Sequence, residues 1–583
     1  MSVPRLVAGM VVAASAAAAS VASGGAYAAS AEPPPSLTAD RVFVNGPVIT
    51  VDTHGHTARA LAVKDGRILE VGDEASVRKL VGRDTVVTDL GGRALVPGFI
   101  DAHSHFLGVG TALYGADLNS PPIGAVRSID DIVRILAERA KSVPEGGTIV
   151  GRGYDDTLLA ERRHPTRHDL DRASTRHRII IRHISGHFSA ANSRAIEESG
   201  IGPETRDPTN GVIRREADGT PLGVFEETAA SLVKRGPDAV YGRAQQLEAA
   251  KQAAAIYAAQ GVTTAQHSSA GKRTFELLKA AQANGSVKLR LVLLPNGTLA
   301  NASSPPADPA AAIADGLVLG PVKLFADGSI QGYTGYLSDP YHVAPPQAEA
   351  GYRGYPAQSC NRVETRVAAL VARGWQVAIH GNGDAAIDCA LGAMEKARPL
   401  ATAAHYRPVV IHAQMSRPDQ LDRMKAIGAT PSFFSLHTYY WGDRHRDQFI
   451  GPERAARISP AGSSLARGLR YTVHTDSPVV PMDQIRLLWA TVNRVTTGGA
   501  VLGPEERVSA LEALRAMTYN AAYQYGLERE LGSLERGKLA DLVILSEDPV
   551  GIAPRALDGL HVVETIVGGK TIFTAGNPDR KEP

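Results

Sequence analysis

The sequence predicts an α/β fold in which eight βα units close a TIM-type barrel beside a small β-sandwich, and three observations carry that expectation. Eight short apolar segments recur through the middle of the chain, beginning with "FIDAHSH", "GVTTAQHSS" and "VKLRLVLLP" and ending with "GATPSFFSL" and "RYTVHTDSP". Helical stretches such as "RVETRVAALVARG" separate them, and eight such units close a barrel. Val-rich alternating segments punctuated by glycine stand at both ends, among them "RVFVNGPVITV" and "GSLERGKLADLVILSEDP". That texture predicts antiparallel strands, so one sandwich is assembled from both ends. Finally, the gap between the first two barrel segments is far longer than the roughly 30 residues of a βα unit, which places an insertion there.

In chain order, residues 1–28 combine Arg5, a small-residue apolar run and Ala26-Tyr27-Ala28, which fits a secretory signal peptide cut after Ala28. The mature protein is therefore expected to be secreted or extracytoplasmic. No cysteine follows the apolar run to carry a lipid, and no later segment approaches the roughly 18 apolar residues of a membrane span. A Pro-rich linker over 29–38 leads into the β-sandwich of 39–97 and 530–577. The barrel occupies 98–111 and 255–529, and 112–254 form an inserted α/β subdomain whose position above the barrel face would shape substrate access. The Tyr-, Pro- and Gly-rich connection "SIQGYTGYLSDPYHVAPPQAEAGYRGYP" reads as a second pocket-lining element.

Charge and cysteine content narrow the function. Sixty-two Lys and Arg against 60 Asp and Glu, with no long basic run, argue against a nucleic-acid partner and leave a small molecule as the expected one. Assembly into a homo-oligomer stays open. Cys360 and Cys389 are the only cysteines, too few for a Cys-rich zinc site, and the sequence leaves their pairing open.

The ends of the apolar segments carry the chemistry: His103 and His105, Lys323, His380, His412 and Asp476. Period-two alternation would aim His103 and His105 to one side, where both reach a single metal ion, although two histidines on a wet strand edge would look the same. Each residue alone has an ordinary structural explanation. Six on successive strand ends of one barrel do not, because barrels of this kind place their active sites at that face.

The segments "LVPGFIDAHSHF", "KLFADGSIQGYTGYL", "IHGNGDAAID", "VVIHAQ", "HTDSPV" and "GSLERGKLADLVIL" together resemble the amidohydrolase superfamily, specifically its family 3, the group that includes N-substituted formamide deformylases. The resemblance covers nearly the whole mature chain. It implies a β-sandwich, a distorted (β/α)8 barrel and a divalent metal centre, in the family pattern two Zn2+ per chain. By position, His103 and His105 would bind one metal with Asp476, His380 and His412 a second, and a carboxylated Lys323 would bridge them. The modification is required, since an ammonium has no lone pair whereas a carbamate offers two anionic oxygens. Asp476 would then carry a proton from water to the departing nitrogen, giving hydrolysis of an amide, formamide or cyclic amide C–N bond.

Further residues are expected at the substrate pocket. Tyr154 and Asp155 in "GYDD" and His187 in "SGHFSAANS" match family segments, where tryptophan often replaces Tyr154, and His437 and Trp441 follow the seventh strand. His474 departs from the family pattern of a small residue and would share a side with Asp476, crowding the metals, adding a ligand or relaying protons; Gly381 departs without a functional reading. The alternatives are ester hydrolysis or decarboxylation on the same centre, or an exported metal-binding protein without turnover.

Overall fold

Ala94–Pro97, buried at all four residues, pairs antiparallel with Leu542–Leu545 from the far end of the chain. In the computed structural model this pairing anchors a six-stranded sheet in the order Lys570–Thr574, Val562–Val567, Leu542–Leu545, Ala94–Pro97, Val48–Ile49, Thr57–Ala58. A four-stranded sheet, Arg67–Gly72, Ala60–Lys64, Arg41–Val44, Val86–Asp89, shares its core through Phe43, Leu61, Ile68, Leu95, Leu542 and Ile566. Arg41 joins the two sheets by donating two 2.9 Å hydrogen bonds to the Glu564 carboxylate. The structure describes residues 38–236, 241–345, 348–401 and 406–576, so the expected signal peptide and the linker up to Leu37 lie outside the described residues.

All eight apolar segments form strands, and all run parallel. Leu317–Leu319, Arg290–Pro295, Val262–Ala270 and Phe99–Ile100 make one ladder; Val322–Phe325, Val377–Gly381, Val409–His412, Thr430–Phe433 and Thr472–Val473 make another. Their near-continuous burial is what parallel strands covered on both faces require. The hydrogen bonds thus run in two ladders, with an additional short strand at Leu317–Leu319, instead of one continuous ring. At one seam the ladders meet through two backbone bonds: Asp476 N donates to His103 O at 3.1 Å, and His105 N donates to Ser477 O at 2.8 Å.

Two expectations need correction. His103 and His105 do not share an extended strand, because the strand stops at Ile100 and 101–104 bend. The seam bonds, with Ser104 N donating to the Gln266 side-chain oxygen at 2.6 Å, draw this segment's backbone across to its neighbours. His105 then precedes the helix Phe106–Ala112. The described residues of the Tyr-rich connection do not line the main cavity either; Ile330, Leu337 and Tyr341 are apolar enough to build their own core with Phe449, Ile450 and Leu502.

Between the first two barrel strands the chain forms a mixed six-stranded sheet, Gly211–Arg215, Pro221–Glu227, Phe188–Ala191, Arg178–His183, Thr148–Tyr154, Ala116–Asp117. The Ala-rich helix Arg243–Ala259 returns from it against Phe106–Ala112. The approach is close enough that a Cβ on Gly110 would lie 1.8 Å from the Ala249 carbonyl oxygen, so only glycine fits.

Cys360 and Cys389 form a disulfide between the helices Cys360–Val371 and Asp384–Ala397, which bracket the His380 strand. The bridge closes a sequence separation of 29 residues, for which chain entropy gives about 3.6 kcal/mol of stabilisation. The Cys360→Ser/Cys389→Ser double variant should therefore lose roughly 2–4 kcal/mol in denaturant titration. A variant as stable as wild type would show that the bridge contributes nothing.

Candidate metal centre and active site

Parallel strands present their C-terminal ends on one side, and there the polar residues that follow each apolar run converge. Lys323 lies within Val322–Phe325, His380 within Val377–Gly381, His412 ends Val409–His412, and Asp476 follows Thr472–Val473. All six residues expected as ligands, His103, His105, Lys323, His380, His412 and Asp476, line one cavity of about 440 Å3. Two of them hold left-handed backbone, His412 at φ 68° and Asp476 at φ 53°, as does Ala413 at φ 43°. Each such non-glycine residue costs on the order of 1–2 kcal/mol, a cost typical of functional sites.

One close grouping is His103, His105 and Asp476, whose ligand atoms lie within 4.8 Å of one another. Asp476 Oδ1 is 3.5 Å from both His103 Nε2 and His105 Nε2. Lys323 Nζ is 3.3 Å from His103 Nε2. The His380 and His412 ring centroids are 4.5 Å apart, and those of His103 and His412 are 5.6 Å apart. Two imidazole nitrogens and a buried carboxylate oxygen without a conventional hydrogen bond form a donor set suited to a zinc-like divalent cation.

The electrostatics agree with ligation. Burial, reinforced by the charge of Lys323, holds the His103 and His380 imidazolium forms well below their usual range, and burial with the neighbouring His380 and His474 does the same for His412. These rings are neutral and have lone pairs to give. Burial likewise pushes the Lys323 ammonium down to about 7, the direction needed for a nucleophilic neutral amine. Burial alone would raise Asp476, but the His105 contact and the charges of His474 and Lys323 outweigh it and keep the carboxyl below its ordinary value.

Asp327, which sequence reasoning did not single out, orients His380. Its Oδ1 accepts from Asn382 N at 3.0 Å and lies 3.2 Å from His380 Nδ1; its Oδ2 accepts from Gly383 N at 2.8 Å and Tyr336 N at 3.0 Å. Burial pushes the Asp327 carboxyl up to about 7; in its ionised form it can only accept, which places the His380 proton on Nδ1 and leaves Nε2, 3.4 Å from Asn382 Nδ2, with its lone pair. The signal was present in "KLFADG", four residues after Lys323, but an acid before glycine also reads as a turn residue.

Of the six pocket residues named from the sequence, His187 alone lines the cavity. Its ring centroid is 5.5 Å from that of His380, and its Nδ1 is 2.9 Å from Glu227 Oε2. Tyr154 is buried in the insertion's core, with its hydroxyl 3.2 Å from His164 Nδ1. Asp155 is spent as a clamp, accepting from Trp441 Nε1 at 3.1 Å, Arg444 Nη1 at 2.8 Å and Thr157 Oγ1 at 2.6 Å. The indole nitrogen of Trp441 is thus committed to that buried acid, and His437 Nδ1 faces His445 Nε2 at 3.2 Å. These four sit behind the cavity wall because buried polar atoms must find partners.

His474 is buried between the ligand rings, with centroids 5.1 Å from both His103 and His412, and stacks on Phe434. A second acid and histidine group, Asp155, Asp156 and His183, has equally close ligand atoms. It reads as an ion-pair network instead, since Arg444 already occupies Asp155 and His183 Nε2 lies 3.0 Å from Asp156.

If Asp327 fixes the His380 ring, Asp327→Asn should weaken divalent-metal binding by about 10–100-fold while leaving the far-ultraviolet circular dichroism unchanged. Metal titration of both proteins, starting from chelator-treated samples, checks this. Equal affinities would reduce Asp327 to a turn-forming residue.

Comparison with known proteins agrees with the geometry. The model of the amidohydrolase family matches residues 86–573. N-substituted formamide deformylase from Arthrobacter pascens is 30% identical over 548 residues, covering 91% of this chain and 97% of that protein. Among solved structures, a metal-dependent hydrolase from Pyrococcus horikoshii superposes with a TM-score of 0.69 at 22% identity, covering 89% of this chain and 99% of that one. Another from Pyrococcus furiosus gives 0.67 at 25% identity, covering 88% and 99%. A match over most of the chain, together with a cavity ringed by histidines, lysine and aspartate, makes this protein a member of the amidohydrolase family.

Proposed function

We propose that this hydrolase of C–N bonds is an exported, metal-dependent enzyme that cleaves an amide, formamide or cyclic amide bond of a small molecule. The observation that carries the reading is the convergence of His103, His105, Lys323, His380, His412 and Asp476 on one cavity. In this reading the two parallel ladders are the halves of a distorted (β/α)8 barrel and the terminal sheets a β-sandwich, with boundaries at 39–97 and 530–577, 98–111 and 255–529, and 112–254 for the insertion. Removal of residues 1–28 would release the mature chain, and the Cys360–Cys389 disulfide supports folding in an oxidising compartment.

His103, His105 and Asp476 would hold one divalent ion, most simply zinc, and His380 with His412 a second. When bound, such a centre supplies Lewis-acid chemistry that acidifies water and polarises a carbonyl. Lys323 prepares the site by forming an N–C bond to carbon dioxide through its neutral amine and releasing one proton, so that the resulting carbamate offers two anionic oxygens between the ligand pairs. The Asp476 carboxylate accepts the proton of the attacking water, whose oxygen bonds the acyl carbon. It then delivers that proton to nitrogen as the C–N bond breaks, leaving an amine and a carboxylic acid. His187, held by Glu227 beside His380, faces the space a substrate would occupy.

Asp476→Asn should lower kcat on a formamide by roughly 10²-fold or more, the usual scale of acid–base catalysis. Full kcat in that variant with metal bound would require another base. Elemental analysis after growth with excess divalent metal should find about two ions per wild-type chain and fewer in Lys323→Ala, with partial rescue by short carboxylic acids. One ion in both proteins with unchanged activity would make Lys323 structural. Mass measurement of exported protein should give a chain beginning at Ala29; an intact Met1 on secreted material would refute the signal peptide.

A further inference from the structure

The insertion contributes a strongly basic stretch to the cavity. Arg152 in Thr148–Tyr154 and Arg182 in Arg178–His183 are direct partners in the parallel register, and both line the cavity together with Arg235. Arg182 and Arg235 are exposed where they line the cavity, and like charges side by side on a sheet are unfavourable, so an anion placed there would relieve their repulsion. Arg152 has one on its other side, where Asp117 is its register partner, and it also donates to the Pro478 carbonyl. The Arg182 and Arg235 side chains make no hydrogen bond or ion pair with any described residue, and their guanidinium charges oppose each other. Among the described lining residues Asp476 is the sole carboxylate, and it belongs to the candidate metal ligands.

We propose that Arg182 and Arg235 form an anion subsite on the insertion wall of the catalytic cavity, where they hold a carboxylate of the substrate while its C–N bond lies at Asp476. The substrate class is then an N-acyl or N-formyl compound that carries a carboxylate. A guanidinium fork matches a carboxylate with two parallel N–H donors. Arg152, already matched by Asp117, adds positive potential without being the primary contact. This inference rests on the C–N hydrolase reading, and the test separates the two.

N-formyl ω-amino acids of increasing chain length would be assayed beside their carboxamides, in wild type, Arg182→Gln and Arg235→Gln. For at least one length, wild type should favour the carboxylate over its carboxamide by at least tenfold in kcat/KM, and each variant should cut that ratio by tenfold or more. A ratio near one at every length, or a ratio unchanged in both variants, overturns the subsite. If no compound is hydrolysed, the hydrolase reading fails for these substrates, and calorimetric titration with glutarate decides the subsite alone. Binding to wild type at least tenfold tighter than to Arg182→Gln upholds it, and equal or no binding overturns it. Removing one of two paired like charges should leave the melting temperature of Arg182→Gln at or above that of wild type, so lost preference is not lost folding; Arg235→Gln supplies the same comparison from outside the sheet.

Discussion

The site depends on the seam where the two parallel ladders meet. Asp476 N donates to His103 O, and His105 N donates to Ser477 O, so the last strand's continuation is stitched to the bend that follows the first. That stitching brings Asp476 Oδ1 to 3.5 Å from two imidazole nitrogens contributed from the opposite end of the domain. The packed terminal sheets hold the first strand at its base, through Ala94–Pro97 against Leu542–Leu545, and so fix where the seam forms.

The division of labour is spatial. The strand ends supply neutral nitrogen donors, an amine depressed by burial and a carboxylate, all suited to binding a cation and moving a proton. The insertion supplies cationic side chains on a sheet of its own, held against the rest by the Asp155 clamp to Trp441 and Arg444. The candidate ligands and the proposed anion subsite thus lie on separate elements. Changes in the insertion's arginines would retune what enters the cavity without touching the ligand geometry.

Much of this was legible in the chain. Buried parallel strands are written as apolar runs, and the residue that ends such a run is the one the C-terminal face receives, which is why His380, His412 and Lys323 were readable. His103 and His105 were found for a partly mistaken reason: their convergence comes from a bend held by the seam and by Gln266, not from strand alternation. Residues that act through another residue were illegible. Asp327 orients His380 from a loop, and nothing in "FADG" distinguishes a supporting acid from a turn. Tyr154, Asp155, His437 and Trp441 looked like pocket residues because aromatic and polar types occur in both places, and only burial with matched hydrogen bonds tells them apart. The Arg152 and Arg182 pairing exists only in register, which a single sequence does not display.

His412 and Asp476 both occupy the backbone region that suits glycine best. At either position a chance change to glycine would relax the main chain while deleting a candidate metal ligand, so backbone stability and the proposed chemistry pull in opposite directions at the same codon. A copy of this protein released from selection would find inactivation at these two sites favourable in backbone conformation, whereas loss of the seam or the terminal sheets would cost it the fold. The scaffold can therefore outlive its chemistry, and an otherwise well-folded relative with glycine at either position would record a function that lapsed.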